Sequence, residues 1–144
     1  MYDNDEFIAR YVMTDQQAWF KAASDGDIES LKQALALGID INVQDTAKNT
    51  ALHLATKHGH QQSMLLLIEA GAELNIQNDF DSTPLHLTEK NIASIRMLLE
   101  AGADSNIRDK DWDYPYYFAF YGSMTRELTE LYIKHGAHLM FVDK

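Results

Sequence analysis

Two stretches of this chain are near-copies of each other, and that repetition constrains the fold more than any other feature. Thr50 to Asn75 reads T-A-L-H-L-A-T-K-H-G-H-Q-Q-S-M-L-L-L-I-E-A-G-A-E-L-N, and Thr83 to Asn106 reads T-P-L-H-L-T-E-K-N-I-A-S-I-R-M-L-L-E-A-G-A-D-S-N. Ala51 and Pro84 lie 33 residues apart. A fixed period of this size marks a stacked array, in which each unit covers its apolar face only with its neighbours.

The register extends in both directions with weaker copies. Ala22 precedes Ala55, and Gly38 precedes Gly71, by the same 33 residues, with Trp19 in the place of Leu52 and Phe20 in that of His53. Thr14 and Gln17 have the spacing of a capping box before this first copy. The third copy is two residues short, because His86 to Gly102 spans 16 positions where His53 to Gly71 spans 18. Lys57-His58-Gly59-His60 gives way to Glu89-Lys90-Asn91, so the first helix of the third copy is expected to be truncated or its turn tightened, leaving a local groove. In the fourth copy Pro115 follows Pro84 by 31 residues, Tyr117 replaces the histidine, and one extra residue falls near Gly122-Ser123. Met64, Leu65, Leu67 and Ile68 are expected to fill the buried side of one second helix, and Leu128, Leu131, Tyr132 and Ile133 that of another.

The period, the T-[AP]-L-H-L opening and the E-A-G-A-[ED]-x-N close resemble the ankyrin repeat, a hairpin-like turn followed by two antiparallel helices. The resemblance covers residues 16 to 138. It implies an all-α solenoid of stacked helix-turn-helix repeats with short hairpin-like turns and an N-terminal capping helix. The expected division is one domain over 1–144, with the capping helix at 1–14 and repeats at 15–45, 46–78, 79–109 and 110–144, the last including a C-terminal cap. Phe7, Ile8, Tyr11 and Val12 form the apolar stripe of that capping helix. Leu139 to Val142 is expected to fold back on the last layer. The resemblance also implies that Thr50 bonds the helix start, that His53 links neighbouring turns, and that Asn75 stabilises the next loop.

Composition narrows the function classes. The 144 residues carry a formal net charge of -10 and no cysteine. An acidic chain repels phosphate backbones, which disfavours nucleic acid as a partner, and matches a basic protein surface. The acidic N-terminus lacks the pattern of a secretory signal, and no apolar run approaches the roughly 18 residues of a membrane helix. A cytoplasmic, monomeric, non-enzymatic protein without cofactor or metal is the expectation.

Three clusters carry the competing chemistry. His53, His58 and His60 offer imidazoles, but without cysteine or an E-x-x-H pairing. Asp109-Lys-Asp111-Trp-Asp113 resembles the start of a calcium loop, yet Tyr114 and Phe120 stand where that loop needs glycine and glutamate. Glu127 and Glu130 share a helix face near His135, with no nucleophile elbow or phosphate loop in the chain. A metal-dependent enzyme built on these residues is the alternative from a different class.

The family's binding surface, carried over position by position, lies on the turn tips and the exposed side of the first helices. It comprises Thr46 and Asn49, then Asp79, Phe80 and Ser82, then Asp111, Trp112, Asp113 and Tyr114, with Lys57, His58, Glu89, Lys90 and Tyr121 at the helix exits. Trp112 sits where the family usually has glycine, and Tyr114 replaces the threonine of T-P-L-H. Both either bind a partner or cap the last repeat. Phe80 lies mid-array with no cap to serve, and aromatic side chains dominate interface energies. The functional expectation is a protein-binding module, acting as an inhibitor, an immunity-like neutraliser or a regulatory subunit. An adaptor or a host-directed bacterial effector is the other binding role.

Overall fold

The computed structural model describes residues 16–120 and 125–139, all without a β-strand. The expected capping helix at 1–14, the Thr14 capping box, Tyr121, the extra residue near Gly122-Ser123 and the tail beyond Leu139 fall outside those residues. Helix α1 runs over 16–25, and α2 spans Ile28–Ala36. Then come α3 (Ala51–Lys57) and α4 (Gln61–Glu69), a five-residue 3-10 segment (Pro84–Thr88) and α5 (Ile92–Ala101), and α6 (Pro115–Phe120) and α7 (Arg126–Lys134).

These elements stack in two layers. The first helices α3, the 3-10 segment and α6 pack side by side, while α2, α4, α5 and α7 form the second row. The core is the strip between the rows, built from fully buried Trp19, Leu31, Leu52, Met64, Leu67, Leu85, Ile95, Leu98 and Tyr132. Small residues such as Ala22, Ala23, Ala51 and Ala55 are buried where the first helices approach one another. The 3.6-residue period explains two departures from the expected inner faces. With Met64 and Leu67 pointing inward, Leu65 turns outward at 45% exposure, and Ile133 likewise lies outside Leu128, Leu131 and Tyr132.

Each second helix begins at an equivalent capping position. Asp27, Asn91 and Thr125 accept the backbone N–H of Ser30, Ser94 and Leu128 through their side chains, which satisfies one of the free donors of a helix start. His60 holds the same place before α4 but makes no capping bond. Its Nε2 reaches instead to the Ser24 carbonyl at 2.8 Å, tying repeat two to repeat one. Gly26 makes room for that ring: it has φ +72°, and a Cβ there would lie 2.7 Å from His60 Nδ1.

The third repeat absorbs its two-residue deletion by changing helix type. A 3-10 helix rises about 2.0 Å per residue against 1.5 Å for an α-helix. Five residues of the one therefore span about 10 Å, close to the reach of the seven-residue α3. Leu85 and His86 stay in register with Leu52 and His53, and all four are buried. The exit turn takes the strain. Gly59 leaves α3 at φ 71°, whereas Glu89 leaves the 3-10 segment at φ 50° and ψ -121°, a region that favours glycine.

Candidate protein-binding surface

The turn tips are built three times to one plan. Asp45, Asn78 and Asp109 open the tips, and each side-chain Oδ1 accepts two backbone N–H groups. Asp45 takes Ala47 and Asn49, Asn78 takes Phe80 and Ser82, and Asp109 takes Asp111 and Asp113, all at 2.9 to 3.1 Å. The short Asx side chain thus replaces a backbone partner inside the turn. The third tip residue has positive φ in every copy: Lys48 at 61°, Asp81 at 54° and Trp112 at 67°.

Backbone bonds run between the tips as well. Asp79 N–H donates to the Ala47 carbonyl, and Lys110 N–H to the Phe80 carbonyl, each at 3.0 Å. Below them, the two histidines lock successive repeats. Thr50 N–H donates to His53 Nδ1 at 3.1 Å, so Nε2 carries the proton and donates to the Ser82 carbonyl at 2.9 Å. Thr83, His86 and the Asp113 carbonyl repeat the arrangement at 3.0 and 3.1 Å. Burial lowers the pKa of both imidazoles, keeping them in the neutral form that this geometry requires.

A cleft of about 390 Å³ opens over the shortened repeat. It is lined by Lys57, Asn78, Phe80, Ser82, His86, Leu87, Glu89, Asp109 and Asp111. Five of the residues expected on the binding surface meet there: Lys57, Phe80, Ser82, Glu89 and Asp111. The Phe80 ring is 69% exposed. Ser82 is buried and contributes its carbonyl to His53, so it shapes the wall more than it offers contact. Asp113 stands next to this acidic rim. Its carboxyl pKa is raised by desolvation first, and then by repulsion from Asp109 and Asp111.

Other expected residues go elsewhere. Asn49 Oδ1 accepts the Asn78 side-chain N–H at 2.9 Å, which commits it to the link between tips. Thr46 lines a separate cleft with Gln16, Gln17, Phe20, Gln44 and Asp45. Asp79 is exposed and lies 4.0 Å from the Lys48 amine. His58 and Lys90 are exposed without lining the cleft.

The two residues left between binding and capping separate. Tyr114 is half-buried, stacks on Tyr116 at 5.1 Å and lies under the Arg108 guanidinium at 4.7 Å, so it belongs to the last layer. Trp112 is 74% exposed, with Arg108 5.8 Å from its ring centre. Arg108 occupies the register of Gln44 and Gln77, whose amides donate to the Lys48 and Asp81 carbonyls. At the last tip a cation on aromatic rings replaces that hydrogen bond. Tyr116 closes the same end, its hydroxyl donating to the His138 carbonyl at 2.8 Å. Burial pushes its phenol up to about 12.

The alternative chemical clusters are spread out. His58 and His60 have ring centres 6.3 Å apart, and His60 is held by Ser24. Glu127 pairs with Arg96 at 3.1 Å and Glu130 with Arg126 at 2.7 Å. Among the described residues no three His, Cys, Asp or Glu side chains converge on a point where a metal could sit. No helix among them is long and apolar enough to cross a membrane.

Sequence reasoning missed four lining residues: Asn78, His86, Leu87 and Asp109. Asn78 and Asp109 share the register of Asp45, which was a readable signal. Leu87 and His86 line the cleft because the segment carrying them is 3-10, which the deletion hinted at without specifying.

A family model for ankyrin repeats, covering three copies, matches residues 19–109. No curated protein matches the chain. The match takes in most of the first helix, both lock histidines, His53 and His86, and the complete lock from His53 to Ser82, and it ends at the Asp109 that opens the divergent last tip. On the family match, together with the stacked helix pairs and their hydrogen-bonded tips, the chain belongs to the ankyrin-repeat family.

Proposed function

We propose that the chain binds a basic protein through the Phe80 tip and the cleft beside it, and blocks that partner by covering it. Ankyrin repeats generally mediate protein–protein interaction. The observation that carries the finer reading is Phe80: a large apolar ring, 69% exposed, on a tip whose backbone is bonded to the tips on both sides. A ring on a rigid support loses little freedom on binding, which favours affinity. The surrounding Asp79, Asp111 and Glu89 carboxylates supply charge complementarity and steering more than raw affinity. The role that follows is a neutraliser or regulatory subunit acting by shape and charge, without catalysis.

The test is affinity purification from the native cell with the wild-type chain and with Phe80→Ala in parallel. A central aromatic anchor is worth about 2 kcal/mol or more on truncation, so the partner's affinity is expected to drop at least roughly 30-fold. Unchanged affinity in Phe80→Ala would falsify the assignment of this surface. Affinity that did not weaken as salt was raised would remove the electrostatic part.

A further inference from the structure

We infer that the cleft over the shortened repeat receives an arginine from an extended basic segment of the partner, with the guanidinium laid against Phe80 and paired to Glu89 and Asp111. The inference rests on the protein-binding reading above and specifies what enters the site.

Three features of the cleft select this occupant. Its shape is the first: about 390 Å³, bounded by a flat exposed ring at Phe80 and by Leu87 beneath. That volume suits one long side chain and the backbone around it, not a helix. Charge is the second. Glu89, Asp109 and Asp111 line the cleft against a single lysine, Lys57, and the His86 imidazole is held neutral by burial. Among the described residues none of these three carboxylates has an ion-pair partner within 4.0 Å, so each is open to an outside cation.

The third is a comparison within the molecule. At the last tip, exposed Trp112 and half-buried Tyr114 are joined by Arg108 of the same chain at 5.8 and 4.7 Å. In the preceding tip the position of Arg108 is held by Gln77, which donates to the Asp81 carbonyl and carries no charge, and the exposed aromatic there, Phe80, stands one residue before the register of Trp112. The Phe80 tip therefore presents an aromatic face and carboxylates without a cation of its own. An arginine from outside would make at Phe80 the kind of cation-on-ring contact that Arg108 makes internally at the last tip. Arginine is favoured over lysine because its planar guanidinium stacks on a ring while its fork of N–H groups reaches carboxylates in the same plane.

The probes are three acetylated, amidated hexapeptides with glycine and serine flanks, identical except for two arginines, two lysines or two citrullines. Each is titrated into the isotope-labelled full chain and followed by amide chemical shifts. The arginine peptide is expected to shift Phe80, Leu87 and Glu89 saturably. The lysine peptide should bind about three-fold or more weaker, and citrulline without saturation. Phe80→Leu should weaken the arginine peptide by about three-fold, Glu89→Gln by a similar factor, and Lys57→Gln should tighten it about two-fold by removing the like charge. The same spectra report whether each variant is folded.

Equal binding of arginine and lysine peptides, or shifts scattered over the acidic surface away from the cleft, would overturn the inference. So would a folded Phe80→Leu that binds as tightly as wild type. A cellular partner lost in Phe80→Ala, with no arginine peptide entering the cleft, would overturn the arginine assignment alone. Arginine binding at the cleft with a partner indifferent to Phe80 would instead overturn the functional reading.

Discussion

Repeat two runs from the Thr50 cap through seven residues of α3, closes on His58 and turns through Gly59 at φ 71°. Repeat three runs from the equivalent Thr83 through five residues of 3-10 helix and turns through Glu89 at φ 50°. The buried side of the two is nearly the same, with a leucine, a neutral histidine and a threonine in matching places. The outer side differs, and the cleft lies there. A deletion in an array is thus taken up where water can replace the missing atoms, while the strip between layers keeps its register. The segment changed its helical rise to preserve the stack, and the surface received the consequence.

The largest expected effect tests whether the buried sides are as equal as they look. Leu52→Ala and Leu85→Ala each remove a leucine with at most 1% exposure, and each should cost about 2–5 kcal/mol in urea unfolding. If Leu85→Ala cost less than about 1 kcal/mol, the 3-10 segment would be loosely seated and the comparison would break.

The histidine locks come next. Both folded-state pKa values lie below the ordinary histidine value because burial disfavours the charged ring. In the window below about pH 6.5 the unfolded chain therefore binds more protons than the folded one. The stability these groups contribute is complete above that pH and is lost as pH falls through the window, by up to about 1.4 kcal/mol per unit for each histidine. Urea midpoints for the wild type should fall between pH 8 and pH 5, with a shallower fall in both His53→Gln and His86→Gln. A wild-type profile flat over that range would contradict the neutral, doubly bonded geometry.

The smallest effect concerns Glu89. A glutamate at φ 50° and ψ -121° is strained, so Glu89→Gly should stabilise the fold by about 1 kcal/mol while weakening partner binding. A gain in stability with undiminished binding would show that Glu89 serves neither backbone nor partner at this place. The contrast with Gly59, already a glycine, makes repeat two the internal control.

Much of this was legible in the sequence because the array repeats itself. The registers of Leu52, Leu85, His53 and His86, the glycines closing α4 and α5, and the tip position of Phe80 all follow from the period. The shortened helix and the groove above it followed from counting. Three features did not. The inter-tip use of Asn49 depends on a side chain reaching the next repeat, which spacing does not report. Trp112 and Tyr114 were separated only by burial in three dimensions, Tyr114 half-buried and stacked on Tyr116 while Trp112 stays 74% exposed. Leu65 was placed inside by its apolar character, although the helical period sets it a quarter-turn away from the buried stripe.

The three tips keep their form mainly through the backbone and one Asx side chain each, at Asp45, Asn78 and Asp109. Apart from Asn49, whose side chain links two tips, the residues between these anchors and the helix starts contribute mainly N–H and carbonyl groups that nearly any amino acid possesses. What the molecule recognises and what keeps it folded are therefore written in largely separate letters. Thr46, Ala47, Asp79, Phe80, Lys110 and Asp111 can change identity with little cost to the frame. A new specificity would arise by substitution at these places alone, and an old one could be lost in the same way without any loss of fold.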